Sequence, residues 1–364
     1  MAAATMLAPP ALALGLIEQL LELLASYGRS FRRLFTVAGR SSFNLDDGQQ
    51  VGQWSDTDSR PRSHSMRALV LNSFDGIDAL ELSEVADPEP GDGEVLVTVR
   101  AAALGVWDLS ATEGGFEIGR ATEFPQIQGW DFAGETDGGE RVFGFVTPPF
   151  MGIGSFAEKL SVPPAVLAGL PESISFEDGA AMPVTALTAR LLVTAAHVSP
   201  DDLVLVTGAA GMVGGSALQQ AVAANARVVA AVRARDADAA RELGAAAVFE
   251  TGPDLEAEVR QEFTDGVDAC LDTIGLGDAG LVCVRDGGAF VTSLAKTIPS
   301  AARGIHPGTV GVQPDGQSLA QLATLVTEGA LTIRVAETLP LEEFKRGYEL
   351  LAQGGLRGKI VFTM

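Results

Sequence analysis

The sequence is poor in cysteine, and this shortage excludes several kinds of protein. Two cysteines in 364 residues are too few for a disulfide framework or for a structural zinc site built from four cysteines. Cys270 and Cys283 both lie in apolar runs, which is typical of buried thiols in a reducing compartment. We therefore expect a cytoplasmic protein.

Basic residues are scarce relative to acidic ones. The chain has 25 Lys and Arg against 47 Asp and Glu, which gives a net charge of −22. Such a surface repels phosphate backbones, so nucleic-acid binding is disfavoured. Aromatic residues make up only 6% of the chain, whereas glycine occurs 42 times. This composition favours tight turns and α/β packing over an aromatic-rich sandwich.

Residues 1–65 differ from the rest because their charges cancel. They contain six acidic and six basic side chains, so the whole negative charge belongs to residues 66–364. The segment 11–28 has apolar residues at helical spacing and ends at Gly28, which predicts one helix with a glycine C-cap. It is too short and too acidic to span a membrane, and it lacks the basic start of a secretory signal. It is either a docking helix for a partner or part of a dispensable leader, and a polar linker follows it.

The remaining chain changes pattern at about residue 187. Short β-type runs separated by turn signals fill the first part, from Met66 onward. Strand and helix patterns then alternate, which predicts a parallel sheet with right-handed crossovers. The predicted strands are 203–208, 227–233, 246–250, 269–275 and 288–294, and the predicted helices are 214–226 and 236–244.

A glycine-rich turn, "VLVTGAAGMVGGS" at 204–216, joins the first of these strands to a helix. Gly208 is placed for the tight turn, Gly211 for close approach of a pyrophosphate, and Gly214 for helix–strand packing. The free N–H groups at the helix start would then face the phosphates. On spacing alone, an ordinary glycine-rich bend is an equal alternative.

The end of the second strand indicates which dinucleotide is bound. An NAD-preferring site usually places Asp or Glu there for the ribose diol, but this chain has Arg233, with Arg235 close behind. A guanidinium suits a 2′-phosphate, which it grips with paired hydrogen bonds. The sequence therefore predicts NADPH as cofactor. The alternative is that these arginines are merely exposed on a loop.

Further motifs along residues 66–364 accompany the cofactor loop. They are "GWDFAG" (129–134), "GERVFGF" (139–145), "GSFAEKLSVP" (154–163), "LPESISFEDGAAMPVTALTA" (170–189), "GVDACLDTIG" (266–275), "RDGGAFVTS" (285–293) and "GLRGKIVF" (355–362). With "VLVTGAAGMVG", this set resembles the zinc-independent quinone oxidoreductase and enoyl reductase branch of the medium-chain dehydrogenase/reductase superfamily.

The resemblance implies an α/β fold with two domains. A GroES-like, β-rich catalytic domain at 66–186 would be completed by a C-terminal segment at 313–364. A Rossmann NADP-binding domain with a doubly wound parallel sheet would occupy 187–312, and a homodimer is a family expectation. The predicted cofactor contacts are Thr188, Gly208, Ala209, Gly211, Met212, Val213, Gly214, Arg233, Arg235, Ile274, Gly275, Ser293 and Leu294.

The catalytic half departs from the zinc-dependent members of this superfamily. Those relatives have a Cys three residues before an Asp, followed later by Gly-His-Glu; the matching positions here are Gly105 and Gly129-Trp130-Asp131. The ligands for a catalytic zinc are therefore missing. Asp108 and Asp131 are interpreted as structural, and Ser110, Trp130 and His306 are the candidates for catalytic contacts.

Without a metal, an electron-poor acceptor is the easiest substrate to reduce. The sequence thus predicts an NADPH-dependent oxidoreductase that reduces a quinone or an α,β-unsaturated carbonyl, both of them small molecules. The alternatives are an enoyl-thioester reductase of a polyketide or fatty-acid pathway, a redox-neutral enzyme, and a non-catalytic NADP-binding protein.

Overall fold

The computed structural model describes residues 65–115 and 124–364, so the predicted helix at 11–28 and its linker lie outside the described residues. The strands are β1 Ser65–Leu71, β2 Leu80–Ala86, β3 Val95–Leu104, β4 Gln126–Ile127, β5 Asp131–Thr136, β6 Arg141–Phe145, β7 Lys159–Val162, β8 Leu167–Gly169, β9 Leu203–Thr207, β10 Arg227–Val232, β11 Ala247–Glu250, β12 Val267–Asp272, β13 Val284–Thr292, β14 Gly308–Thr309, β15 Val335–Pro340 and β16 Lys359–Thr363. The helices are α1 Val106–Thr112, α2 Pro148–Met151, α3 Phe176–Ala181, α4 Pro183–Ala195, α5 Met212–Ala223, α6 Ala237–Glu242, α7 Leu255–Glu262, α8 Asp278–Leu281, α9 Gly316–Thr327 and α10 Phe344–Gln353.

A six-stranded parallel sheet forms the half of the chain for which the sequence predicts a Rossmann domain. Its strand order is β11-β10-β9-β12-β13-β14. Successive strands are added on one side of β9 up to β11 and on its other side from β12 onward, as in a doubly wound Rossmann sheet. The apolar strand β9 is covered on both faces, as parallel sheets require. Val204 and Val206 pack with Leu218 of α5 on one face, whereas Leu205 packs with Leu255 and Val259 of α7 on the other.

A seven-stranded sheet forms the other half. Its order is β15-β16-β3-β5-β6-β8, and β7 also pairs with β3. The C-terminal strand β16 lies antiparallel to β3, with Ile360 opposite Leu104. The two C-terminal strands thus complete a sheet whose other strands come from residues 95–169, whereas β1, β2 and β4 form a separate three-stranded sheet. Phe132, Phe156 and Phe362 are buried in the core of this half.

The fold class predicted from the sequence is confirmed: a β-rich domain and a Rossmann domain in one α/β chain. The predicted boundary at residue 187 falls inside α4, which packs against α5. Within the described residues, no helix has the length and hydrophobicity needed to cross a bilayer.

Both cysteines are buried and free. Burial raises the pKa of the Cys283 thiol to about 11. It raises the pKa of the Cys270 thiol as well. Both side chains therefore stay protonated at neutral pH and act as small apolar groups in the core.

Candidate active site

The glycine-rich turn between β9 and α5 has a backbone that larger residues would disrupt. Gly208 has a positive φ of 63°, which an L side chain rarely adopts. A Cβ at Gly214 would overlap the carbonyl oxygen of Gly208. Gly211 precedes α5 and has no side chain to cap it, so the first N–H groups of this helix remain available to an anion.

Hydrogen bonds from one arginine stabilise the backbone of this turn. Arg334 donates hydrogen bonds to the carbonyl oxygens of Ala210 (2.9 Å) and Gly211 (2.5 Å). Burial lowers the pKa of the Arg334 guanidinium, but this group stays cationic because an arginine cannot be deprotonated in proteins. Arg334 directly precedes β15, so the C-terminal segment holds the nucleotide loop in place.

A buried carboxylate fixes the neighbouring loop after β12. Asp272 accepts hydrogen bonds from the backbone N–H groups of Gly275 (3.0 Å), Leu276 (3.1 Å) and Gly277 (3.1 Å). It also accepts one from the hydroxyl of Thr207 at 2.7 Å, at the end of β9. Asp272 thereby ties the loop after β12 to the end of β9.

A cavity of about 280 Å³ lies between the glycine turn and the sheet of the β-rich domain. Gly208, Gly211 and Gly214 line it on one side, and Leu104, Gly105 and Ile360 line it on the other. Its polar side chains are Trp107, Thr185, Thr273 and Lys359. Such an apolar cleft with a few polar groups is typical of a cofactor and substrate site.

A second cavity of about 350 Å³ adjoins the first and shares Gly208, Gly211 and Ile274 with it. It opens at the end of β10, where Arg233 and Arg357 both line it. An extended dinucleotide would therefore have one pocket on each side of the glycine turn.

Asp236 joins the two arginines of the second cavity. Its carboxylate accepts from Arg233 Nε at 2.9 Å and from Arg357 Nε at 3.0 Å. Burial opposes ionisation of Asp236, but the two guanidinium groups outweigh it and lower the pKa of the carboxyl. Arg233 follows β10 and Arg357 precedes β16, so both halves of the protein contribute a cation here.

An ion pair lies at the floor of the first cavity. Lys359 Nζ is 2.9 Å from Asp131 Oδ2, and both side chains are buried. Asp131 Oδ1 accepts from the backbone N–H of Val184 at 2.8 Å, at the start of α4. Burial raises the pKa of the Asp131 carboxyl, and the Lys359 ammonium opposes that increase.

Trp107 occupies the space that a side chain at position 105 would need. A Cβ built on Gly105 would overlap the indole ring of Trp107. The same ring stacks over Lys359 Nζ, 4.1 Å from the ring centroid. Among the residues for which the structure gives positions, no group of three His, Cys, Asp or Glu side chains is placed to hold a metal ion.

The structure brings together about half of the sequence-predicted cofactor residues. Gly208, Gly211, Met212, Val213, Gly214 and Ile274 line the first cavity, and Arg233 lines the second. Neither cavity is lined by Ala209, Gly275, Ser293, Leu294, Arg235 or Thr188. Thr188 lies one helical turn beyond Thr185 in α4, and it is Thr185 that reaches the first cavity.

The three candidates for catalytic contacts lie outside the lining of both cavities. Ser110 is half-buried on α1, Trp130 is buried in the core beside Trp107, and His306 is exposed before β14. Lys359, Arg357 and Asp272 also belong to the site, although their sequence context did not predict them as site residues. A signal existed for Lys359, since it is one of only four lysines in the chain and lies in the family-like "GLRGKIVF" motif.

Asp108 gives the site a testable pH dependence. Burial raises the pKa of its carboxyl from 3.8 to about 8, although the Gly105 N–H donates to it at 2.7 Å. Between these two values the folded protein holds a proton that the unfolded chain has released. This contribution to stability is therefore complete below the unfolded pKa and is lost as pH rises through the folded pKa, at up to about 1.4 kcal/mol per pH unit.

We expect Asp108→Asn to flatten this dependence, because asparagine has no proton to lose. Urea denaturation at about pH 5 and about pH 8 measures the change in the free energy of unfolding. The exposed Asp286→Asn is the control and should behave like the wild type. An equal pH slope in Asp108→Asn and the wild type would contradict the assignment.

Comparison with known proteins supports an oxidoreductase. A family model described as "Zinc-binding dehydrogenase" matches residues 243–362. The chain is 26% identical over 317 residues to the chloroplastic NADPH-dependent alkenal/one oxidoreductase of Arabidopsis thaliana, covering 81% of this chain and 79% of that protein. It is 33% identical over 300 residues to a spectinabilin polyketide synthase system protein of Streptomyces orinoci, covering 75% of this chain and 13% of that protein.

The fold has solved counterparts. The quinone oxidoreductase of Coxiella burnetii superposes with a TM-score of 0.74 at 26% identity, covering 83% of this chain and all of that one. The chain spans 59% and 52% of the length of two other curated relatives.

Proteins named as oxidoreductases thus share this fold, which combines a β-rich domain with a Rossmann domain. The family model, the relatives and the solved counterpart agree with the resemblance of the sequence motifs to the medium-chain dehydrogenase/reductase superfamily.

Proposed function

We propose that this protein reduces the activated C=C bond of an α,β-unsaturated carbonyl, or a quinone, with NADPH and without zinc. The observation that carries the proposal is the first cavity. The glycine turn borders it on one side, and Gly105 and Trp107 border it where a zinc-dependent relative would present a cysteine ligand.

The residues of the cleft fit a dinucleotide. The turn has no room for a side chain at Gly208 or Gly214, so its backbone is open to a close approach by a ligand. The start of α5 offers N–H groups to a pyrophosphate. When bound, NADPH supplies a hydride. Leu104 and Ile360 give the neighbouring space an apolar wall, and a lower local dielectric strengthens any electrostatic contact with the reacting carbonyl.

The side chains at the metal positions support zinc-independent chemistry. Gly105 offers no ligand, and Trp130, at the position of the histidine, has an indole ring in the core that does not ligate zinc. An unactivated alcohol needs a metal or a base to lose its proton, whereas an enone accepts a hydride directly and moves the charge onto oxygen. The enone or quinone is therefore the substrate class that suits these residues.

The proposed activity is tested by following NADPH oxidation with the purified full chain. The acceptors are 2-cyclohexenone, 1,4-benzoquinone and the thioester crotonyl-CoA, and cyclohexanone serves as the saturated control. We expect turnover with the enone or the quinone, none with cyclohexanone, and no loss after treatment with EDTA. Loss of activity with EDTA would contradict the zinc-free mechanism. NADPH binding without turnover of any acceptor would favour a non-catalytic protein.

An enoyl-thioester reductase is the second candidate. It is favoured by the similarity to a polyketide synthase system protein over 300 residues. Efficient reduction of crotonyl-CoA, with slow reduction of cyclohexenone and benzoquinone, would reverse the order of the two candidates.

Cofactor preference is expected to depend on both arginines of the second cavity. Replacing either Arg233 or Arg357 with serine removes a charged donor from the pocket proposed for the 2′-phosphate. We expect each change to raise the Kd for NADPH about tenfold or more, because a hydrogen bond to a charged group is worth about 1.5–3 kcal/mol. The Kd for NADH should stay nearly constant.

Titration of protein fluorescence with each cofactor measures these constants. Arg241→Ser is the matched control, because Arg241 is 57% exposed and pairs only with Asp238 on α6 among its described partners. An unchanged ratio of NADPH to NADH affinity in the double variant Arg233→Ser/Arg357→Ser would overturn the assignment.

A further inference from the structure

Lys359 is the only ionisable residue among the described residues that line the first cavity. Its side chain is 4% exposed, so its charge sits in a largely apolar space. Gly358 helps to place it, because a Cβ at Gly358 would approach the backbone nitrogen of Ala336 to 2.5 Å. The close packing of β16 on β15 therefore directs the chain so that Lys359 begins β16 at the cavity.

The buried ion pair of Lys359 with Asp131 is not needed for the stability of the fold, because removing both charges from water offsets much of their attraction. A buried ion pair can often be replaced by apolar residues of similar volume with no loss of stability. Here the Lys359–Asp131 pair lies at a cavity rather than within the closed core. An ammonium has three N–H donors. The described contacts are the bond to Asp131 and the stacking against Trp107, so a donor remains for a ligand.

We propose that Lys359 is a catalytic residue that binds the carbonyl oxygen of an α,β-unsaturated substrate in the first cavity. This inference rests on the proposed function and names the group that stabilises the negative charge on the substrate oxygen during that reaction. A hydride released from a C–H bond of the reduced nicotinamide forms the new C–H bond at the β-carbon. The C=C π pair then moves between the α-carbon and the carbonyl carbon, and the C=O π pair moves onto the carbonyl oxygen. NADPH is oxidised and the substrate is reduced. The Lys359 ammonium faces the oxyanion, and water supplies the proton that reaches the α-carbon.

Other polar groups near the cavity fit this role less well. The indole Nε1 of Trp107 is buried and lies against Gly105, with no described partner. The Thr185 hydroxyl is neutral, so it stabilises an oxyanion less than a charged donor does. Asp131 and Asp108 carry the wrong charge when ionised. Lys359 alone offers a positive charge to the cavity among its described lining residues.

The first test compares Lys359→Met with Lys345→Met, which changes an exposed lysine of α10. We expect kcat for cyclohexenone to fall about 100-fold to 1000-fold in Lys359→Met, as when an oxyanion-hole donor is removed. The Kd for NADPH should change little in either variant, and Lys345→Met should keep its kcat. Lys359→Arg, which retains the charge, should recover part of the rate.

Lys359→Met also leaves Asp131 buried without its partner, which destabilises the fold independently of catalysis. The double variant Lys359→Met/Asp131→Leu replaces the whole pair by apolar side chains. We expect it to fold and bind NADPH, as measured by circular dichroism and fluorescence, and still lack the rate. A wild-type kcat in this folded double variant would overturn the proposal.

A second readout does not depend on turnover. 4-Nitrophenol bound to the complex with NADP⁺ reports its ionisation by absorption, and its phenolate mimics the enolate oxygen. We expect the wild-type complex to lower the apparent pKa of bound 4-nitrophenol and Lys359→Met/Asp131→Leu not to do so. Asp108 interacts electrostatically with both members of the pair, Lys359 and Asp131, and Tyr348 interacts with Asp108. Asp108→Asn is therefore titrated in parallel and should keep the effect.

The two proposals fail in distinguishable ways. If none of the tested acceptors supports NADPH oxidation by the wild-type protein, the proposed function is wrong. The 4-nitrophenol titration still decides the role of Lys359. If the enzyme turns over but the wild type and the double variant shift the ionisation of 4-nitrophenol equally, the Lys359 assignment is wrong and the proposed function stands.

Discussion

Gly214→Ala is expected to abolish measurable NADPH binding and to lower the free energy of unfolding by about 3 kcal/mol. The added methyl group would overlap the Gly208 carbonyl oxygen. That oxygen belongs to the backbone and already accepts from the Gly211 N–H at 2.8 Å, so it cannot move without distorting the turn. Isothermal titration with NADPH and urea denaturation measure the two effects.

Two other glycines make the test specific. Gly211→Ala should keep the fold, because φ at Gly211 is −75° and the nearest atom to an added Cβ is 3.1 Å away. It should still weaken NADPH binding, since the methyl group would stand at the start of α5. Gly169→Ala adds a Cβ with nothing within 4 Å and should resemble the wild type. Normal NADPH affinity in Gly214→Ala would refute the role given to the turn.

Asp272→Ala is expected to lower the free energy of unfolding by about 4 kcal/mol, because several buried donors lose their acceptor at once. The backbone N–H groups of Gly275, Leu276 and Gly277 and the Thr207 hydroxyl all donate to this carboxylate. NADPH binding should weaken as well, because the loop after β12 forms part of the cavity wall.

Denaturation in urea measures the loss, and Asp286→Ala is the control for removing one acidic charge. Asp286 is 82% exposed and pairs with Arg303, so its loss should stay within about 0.5 kcal/mol, as for an ordinary surface substitution. Equal destabilisation by the two changes would mean that the Asp272 hydrogen bonds contribute nothing particular to the site.

Features set by neighbouring residues could be predicted from the sequence. The strand, glycine turn and helix of 203–223 are consecutive, so their pattern reveals both the turn and its direction. Arg233 follows β10, and its place relative to Gly208 is fixed by the parallel register of two adjacent strands. The order of the six-stranded sheet likewise follows from the alternation of strands and helices.

Features set by distant residues could not be predicted in this way. Lys359 and Asp131 are separated by 228 positions, and Arg357 meets Asp236 across 121 positions. No local pattern shows that β16 enters the sheet beside β3 and brings Lys359 to the cavity. Thr185 lines the first cavity and Thr188, one helical turn further along α4, does not. Which of the two threonines faces the cavity depends on how α4 packs, and its local sequence does not show this.

The packing of Trp107 against Gly105 has a consequence for how this site can change through evolution. A ligand-bearing side chain at position 105 cannot be accommodated while the indole ring lies there, so substitutions at positions 105 and 107 are epistatic. A lineage that acquired cysteine at 105 would need a smaller residue at 107 beforehand, and would then lose the ring that stacks on Lys359. A single substitution at position 105 therefore does not introduce a metal ligand into this cleft.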